Sequence, residues 1–510
     1  MAASTSGRGR SRAPGRFREV VRYLPSFPAS LRNGMTRPAR TTLFALGAGL
    51  LLAGPVASQD AAARLRVLDR DLPAIMDSAG VPGMMFVVFE HGRVAATRSY
   101  GVRSFATKVP VDSATVFEAM SLTKQVVAYI ALRLAEQGKL DLDRPLVQYL
   151  PHPDLADPRS QRVTARMVLS HTSGLPNWRP DGGALVFNND PGARFGYSGE
   201  GYVWLGKVIE ELTSLSLAEA AQREVFQPLG MSRSSLVWEE AFAGDVAVPH
   251  ADGPIAVRTS GQANAAASLR TTGPDYGRFI AALLAPTGLT RRSITMMLSP
   301  VVEVAPGVQW GTGVGIERGD SGRAFFQWGD NFGYKGFLLV DPDRGYGIAY
   351  IANSETGMSV RNAILARMMP GSHPSVAWND YEQYDAPTRQ VRLALTQALT
   401  EGGVPAMTAL YAELRASEPA NAFNEAQLNT IGYQLLRSDR TRDAIAVFQL
   451  NVREYPTASN PYDSLGEAYA ADGQVQPAIA NYEKSLALDA GNSNAVQQLA
   501  KLRQQGASGK

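Results

Sequence analysis

The sequence contains no cysteine, which excludes a disulfide framework, a thiolate metal site and a lipid-modified cysteine. That absence is compatible with an oxidising compartment and does not establish one. Histidine is also scarce. The five present (His91, His152, His171, His250 and His373) are scattered without metal-ligand spacing, so neither a metal nor another cofactor is expected. The formal charge of +3 misleads about partners. Residues 1–58 hold nine arginines, no lysine and one acid, Glu19; without them 41 basic residues stand against 46 acidic ones, a balance of −5. The basic excess therefore belongs to the N-terminal stretch, and no nucleic-acid partner is inferred.

That stretch reads as an N-terminal extension and signal peptide over 1–58. Met35-Thr-Arg37-Pro-Ala-Arg40 is a charged start, Leu43 to Gly54 is an apolar core too short for a comfortable membrane span, and Val56-Ala57-Ser58 offers small residues for cleavage. Met35 is a candidate initiator. A periplasmic or secreted protein is expected, with an uncleaved anchor as the alternative.

Beyond Gln59 the chain is long enough for at least two domains. A helix over about 59–77 leads into a hairpin, Met84–Glu90 and Arg93–Tyr100, turning at His91-Gly92. Two later strands, Phe337–Val340 and Tyr346–Ala352, flank the strong turn Asp341-Pro-Asp-Arg-Gly345. Between them lies a mostly helical, loop-rich stretch from Ser121 to about Leu298. Strands at both ends with helices between suggest an α/β sandwich, an antiparallel sheet flanked by helices plus a helical subdomain. This domain is assigned to 59–374. Residues 375–387, rich in turn formers, read as a linker.

Residues 388–510 are helical and repetitive. Leu428, Ile431-Gly432, Ala444, Phe448 and Pro456 recur 34 residues later as Tyr462, Leu465-Gly466, Ala478, Tyr482 and Ala490. That period and alternation of small and large residues resemble tetratricopeptide repeats, an all-α helical-repeat fold whose partner would be a peptide or protein. Leu393–Pro419 is a candidate degenerate helix pair and Asn494–Gln504 a candidate cap.

The chemistry-bearing motif is Ser121-Leu-Thr-Lys124, the only Ser-x-x-Lys in a chain with eight lysines. It opens a helix with apolar residues at Val127, Ile130, Ala131 and Leu134 and a stop at Gly138. Residues i and i+3 are neighbours on a helix, so Lys124 can hydrogen-bond Ser121. A serine needs an adjacent base to be a useful nucleophile, and a buried lysine with a lowered pKa can supply it. The bland alternative is a helix cap and a solvated lysine.

The surrounding residues resemble the serine β-lactamase and penicillin-binding-protein superfamily, nearest its class C β-lactamase, D-alanyl-D-alanine carboxypeptidase and esterase branch. The likeness runs through Val81-Pro-Gly-Met-Met-Phe-Val-Val-Phe-Glu-His-Gly92, Val163-Thr-Ala-Arg-Met-Val-Leu-Ser-His-Thr-Ser-Gly-Leu-Pro-Asn-Trp178, Pro228-Leu-Gly-Met231 and Ala266-Ala-Ser-Leu-Arg-Thr-Thr272. The resemblance implies Ser121 as nucleophile, Lys124 as its base and, from Phe195-Gly-Tyr197-Ser198-Gly199, Tyr197 as a tyrosinate shuttle. Gly199 stands where relatives carry an asparagine that helps hold the lysine and a substrate amide.

The third element, usually Lys-Thr-Gly or His-x-Gly, aligns with Gln327-Trp328-Gly329. Gly329 would let substrate approach the backbone, and the amides of Ser121 and Asp330 would form the oxyanion hole. Gln327 is uncharged, so a substrate carboxylate loses its usual cation, while Lys335 reads as a solvated strand residue. His171 is expected to bond backbone inside a tight turn, and Trp178, Trp310 and Trp328 are candidates to line the acyl pocket. Together these imply a serine hydrolase acting through an acyl-enzyme on esters or D-amino-acid amides, small-molecule or peptidoglycan-like in kind. The rival reading is a catalytically degraded relative that acts as a scaffold through its repeats.

Overall fold

The computed structural model describes residues 61–508 apart from 180–182, 252, 321 and 332; the expected signal peptide lies outside them. An eight-stranded, wholly antiparallel sheet is built from β1 (Gly83–Glu90), β2 (Arg93–Gly101), β5 (Val302–Ala305), β6 (Val308–Trp310), β7 (Gly315–Gly319), β8 (Gly322–Asn331), β9 (Tyr334–Asp341) and β10 (Tyr346–Ala352). A separate two-stranded ribbon pairs β3 (Phe117–Glu118) with β4 (Arg270–Thr271). The sheet order is β2-β1-β10-β9-β8-β7-β6-β5. The N-terminal hairpin thus meets the C-terminal strands at β1–β10, with Phe86 opposite Tyr350. His91 and Gly92 both have positive φ, 51° and 73°, as a tight hairpin turn matched to strand twist requires.

The strands are apolar on both faces because both faces are covered. Along β1, Met85, Val87 and Phe89 join one core while Met84, Phe86 and Val88 join another, the period of two that a pleated strand imposes. The first core contains helices Thr123–Glu136 and Gly273–Leu284; the second is closed by helices Ala61–Ala79 and Arg361–Met368. The sandwich expected from the chain's two ends is present. The short strands β5 to β7, three to five residues each, carried too little periodicity to be read in the sequence.

After the sheet domain, helix pairs begin at Glu425 and Thr441 and again at Ser459 and Val475, a spacing of 34 residues for both members. A Cβ on Gly432 would lie 2.4 Å from the Phe448 ring, so this glycine is what lets the paired helices close. The preceding run, Pro387–Ser417, is broken at Gly403, with φ 70° and ψ −169°, which makes it a helix pair in effect. Residues 375–387 are no open tether. They include most of the short helix Pro374–Trp378 and pack Trp378, Tyr381 and Tyr384 against the second core.

Candidate active site

The site forms where helix Thr123–Glu136 starts against β8. Ser121 lies in a 3-10 turn, Met120–Leu122, whose first residue has φ 48°. A left-handed methionine costs of order 1–3 kcal/mol and persists only when its surroundings hold it. Here Thr123 Oγ1 donates to the Met120 carbonyl at 2.5 Å and accepts from Leu269 N at 2.8 Å, and Ala119 N donates to the Leu269 carbonyl at 2.7 Å. β8 closes the other side. A Cβ on Gly329 would stand 2.9 Å from both the Ala119 carbonyl and Met120 Cε, so only glycine lets the strand lie this close to the turn.

Lys124 is 1% exposed. Its Nζ lies 3.1 Å from Ser121 Oγ and donates to the Ala266 carbonyl at 2.9 Å. Burial lowers its pKa to about 7, because the charged ammonium is desolvated there. Ala266 is held in turn by its own amide, which donates to Asn264 Oδ1 at 2.8 Å. The stretch 266–272 was legible as a family landmark, yet the role of its first carbonyl, orienting the base, was not.

Tyr197 faces the same hydroxyl. Burial pushes its phenol up to about 12, while hydrogen bonds with Ser121 and Gln327 pull the other way. Burial thus favours the neutral phenol, able to pass a proton on, over the expected tyrosinate. Lys124 Nζ sits 4.8 Å from the Tyr197 ring centroid. Gln327 is fully buried, and its Nε2 lies 3.4 Å from the Ser121 carbonyl, 3.2 Å from the Trp328 carbonyl and 3.2 Å from Tyr197 Oη. Two carbonyl neighbours fix the amide with its NH2 inward, so Tyr197 Oη accepts. Gln327 thus orients the phenol.

His171 is fully buried with φ 55°, and its Nδ1 accepts from Ser198 N at 3.0 Å. Burial, with Lys124 nearby, holds its pKa well below the ordinary value. It is a neutral ring stacked on Tyr197 at 4.2 Å, which fits the expected backbone-bonding role and adds support of the tyrosine. Gly199 begins helix Gly199–Thr213, capped by Ser198. A Cβ there would meet Trp178 Cη2 and Cζ2 at 2.9 Å and the Asn177 carbonyl at 2.7 Å. At the position where the resemblance leads to an expected asparagine, Gly199 lies against the edge of the Trp178 indole.

Two expectations are corrected. Lys335 is not solvated. It is 3% exposed, pairs with Asp330 Oδ1 at 2.6 Å and also with Glu355, so two carboxylates hold this cation. Trp310 does not line an open pocket. It is fully buried beneath Trp328, Phe195 and His171, whereas Trp178 is 43% exposed and Trp328 half-buried. Sequence reasoning missed Trp378 and Tyr381, which arrive from the supposed linker. Trp378 packs edge-on to Trp328 at 5.4 Å, and Tyr381 donates to Asp330 Oδ2 at 2.6 Å. Their signal was three aromatics, Trp378, Tyr381 and Tyr384, in a stretch otherwise rich in turn formers.

Comparison with known proteins follows this geometry. A family model described as beta-lactamase matches residues 68–368. The chain is 31% identical over 226 residues to esterase EstB of Burkholderia gladioli, 38% of this chain and 57% of that protein. It is 33% identical over 186 residues to penicillin-binding protein 4 of Amycolatopsis lactamdurans, 33% of this chain and 49% of that protein. The matches thus span about half to three-fifths of these relatives' own length. A D-alanine carboxypeptidase structure from Burkholderia cenocepacia superposes with TM-score 0.54 at 20% identity, covering 61% of this chain and 99% of that one, a likeness of fold.

Proposed function

The chain belongs to the beta-lactamase family, and from that premise we propose that it is an exported serine hydrolase that forms an acyl-enzyme on Ser121 and prefers esters to β-lactams. The observation that carries this reading is Lys124, buried, pKa lowered to about 7, and 3.1 Å from Ser121 Oγ. A base poised near neutrality and within hydrogen-bond reach is what serine activation needs.

In this reading neutral Lys124 takes the Ser121 proton as Oγ bonds to the ester carbonyl carbon. The carbonyl electron pair moves to oxygen, where the amides of Ser121 and Asp330 receive it, usually the largest electrostatic contribution to acyl transfer. Collapse breaks the bond to the alcohol, whose oxygen takes the proton held by Lys124, relayed through the Tyr197 hydroxyl. Water then repeats the sequence on the acyl-enzyme and frees the acid. The preference for esters without a carboxylate rests on three features: uncharged Gln327, a Lys335 already held by Asp330 and Glu355, and Trp178 where an amide-binding asparagine would stand. The esterase among its relatives supports the same choice.

The C-terminal helix pairs, with their 34-residue spacing, support a tetratricopeptide-type module that recruits a peptide or protein. A scaffold that has lost its chemistry is the poorer reading, because Ser121, Lys124 and Tyr197 converge. Ser121→Ala tests the proposal: hydrolysis of a short-chain p-nitrophenyl ester falls by several powers of ten with the fold intact. Retention of more than about a tenth of wild-type activity would place the nucleophile elsewhere.

A further inference from the structure

We propose that residues 374–386 form a fixed wall of the active site, in which Tyr381 positions Asp330 and Trp378 supports the aromatic face that binds the apolar part of the substrate. The proposal rests on the reading of Ser121 as nucleophile and of the Asp330 amide as an oxyanion donor.

The segment is fastened at several points. Ser375 N donates to Glu317 Oε2 at 3.0 Å, and the Ser375 hydroxyl bonds the same carboxylate. Arg361, fully buried, donates through Nη2 to the carbonyls of Val376 at 3.0 Å and Asn379 at 2.8 Å, and its guanidinium lies 5.6 Å from the Tyr381 ring centroid. Tyr384 N donates to the Ser359 carbonyl at 3.1 Å. So held, the segment delivers Tyr381 to Asp330 Oδ2 at 2.6 Å, opposite the Lys335 ammonium on Oδ1, also at 2.6 Å. The carboxylate is gripped from both sides, and with it the end of β8 that carries the Asp330 amide.

Hydrogen bonds to a carboxylate are among the stronger ones, and small displacements of a catalytic donor cost rate disproportionately. Burial and the Asp330 charge both raise the Tyr381 pKa, so its hydroxyl remains a donor. Trp378 lies 5.4 Å from Trp328 and 6.1 Å from Phe195, and Trp328 lies 5.1 Å from Tyr197. These rings form a continuous, half-buried aromatic face running from the nucleophile's partner to the segment, suited to an acyl group or alcohol that is apolar or aromatic.

The test uses full-length Tyr381→Phe, Trp378→Ala and Trp378→Phe, with active sites titrated by a fluorophosphonate and kinetics measured on p-nitrophenyl acetate and p-nitrophenyl benzoate. Tyr381→Phe lowers kcat per titrated site about tenfold with KM within about twofold, since the contact acts through a transition-state donor. Trp378→Ala raises KM for the benzoate several-fold more than for the acetate, and Trp378→Phe restores it. Tyr381→Phe with wild-type kcat per titrated site, or Trp378→Ala affecting both esters equally, overturns the proposal. If the wild-type protein is not labelled at Ser121, the reading of the site fails and this inference falls with it. Normal labelling with unchanged variants removes the wall alone.

Discussion

The Trp178 indole lies over Gly199, where a Cβ would come within 2.9 Å of two ring carbons and 2.7 Å of the Asn177 carbonyl. A side chain at 199 therefore has no room, the asparagine that the resemblance leads to expect included. We expect nitrocefin turnover to be slow or absent beside ester turnover. Gly199→Asn does not restore it, and the clash lowers stability by about 1–3 kcal/mol, read in denaturant melts. Nitrocefin turnover comparable with ester turnover in the wild-type protein would contradict this.

The buried lysine predicts a pH profile. Lys124 must be neutral to accept a proton, so kcat/KM rises with pH through a midpoint near 7 and falls away in acid. A midpoint above 9 would mean that Lys124 is not the base.

The same shift carries a stability cost. Lys124 has its pKa lowered from 10.5 to about 7. Between these values the unfolded chain binds a proton that the folded one does not, so stability falls as pH drops from about 10.5 to 7 and then levels off. Lys124→Met is accordingly inactive, yet its thermal midpoint exceeds that of wild type at pH 7 by more than it does at pH 10. An equal difference at both pH values would show that the lysine is charged in the fold.

The C-terminal helices are expected to be dispensable for the chemistry, but the cut must respect Tyr381. A chain ending at Ala386 keeps its ester kinetics within a few-fold, with some loss of stability because Arg389 donates to the Ala79 carbonyl at 3.0 Å. A chain ending at Pro374 loses Trp378 and Tyr381 and most of its turnover. Circular dichroism checks that each remains folded. Loss of turnover in a folded chain ending at Ala386 would make the helical repeats part of the enzyme.

What the sequence made legible followed from local rules. The Ser-x-x-Lys spacing placed a base beside a hydroxyl, the apolar runs flanking the His91-Gly92 and Asp341–Gly345 turns announced the sheet, and the 34-residue period placed the helix pairs. What escaped was long-range. Nothing near Lys335 in the sequence says that Glu355 will meet it, and nothing near Ala266 says that its carbonyl will face Lys124. Tyr381 reaches Asp330 across 51 residues, from a stretch whose turn-forming residues suggested a tether. Burial also raises the Tyr197 pKa, and burial is a property of the assembled fold.

Labelling of the purified protein with a fluorophosphonate, followed by mass mapping of the modified peptide, tests the central claim most directly. The account predicts one adduct, on Ser121, formed faster as pH rises through 7 and absent from Ser121→Ala. An adduct on another residue, or no adduct in a folded protein, would contradict it.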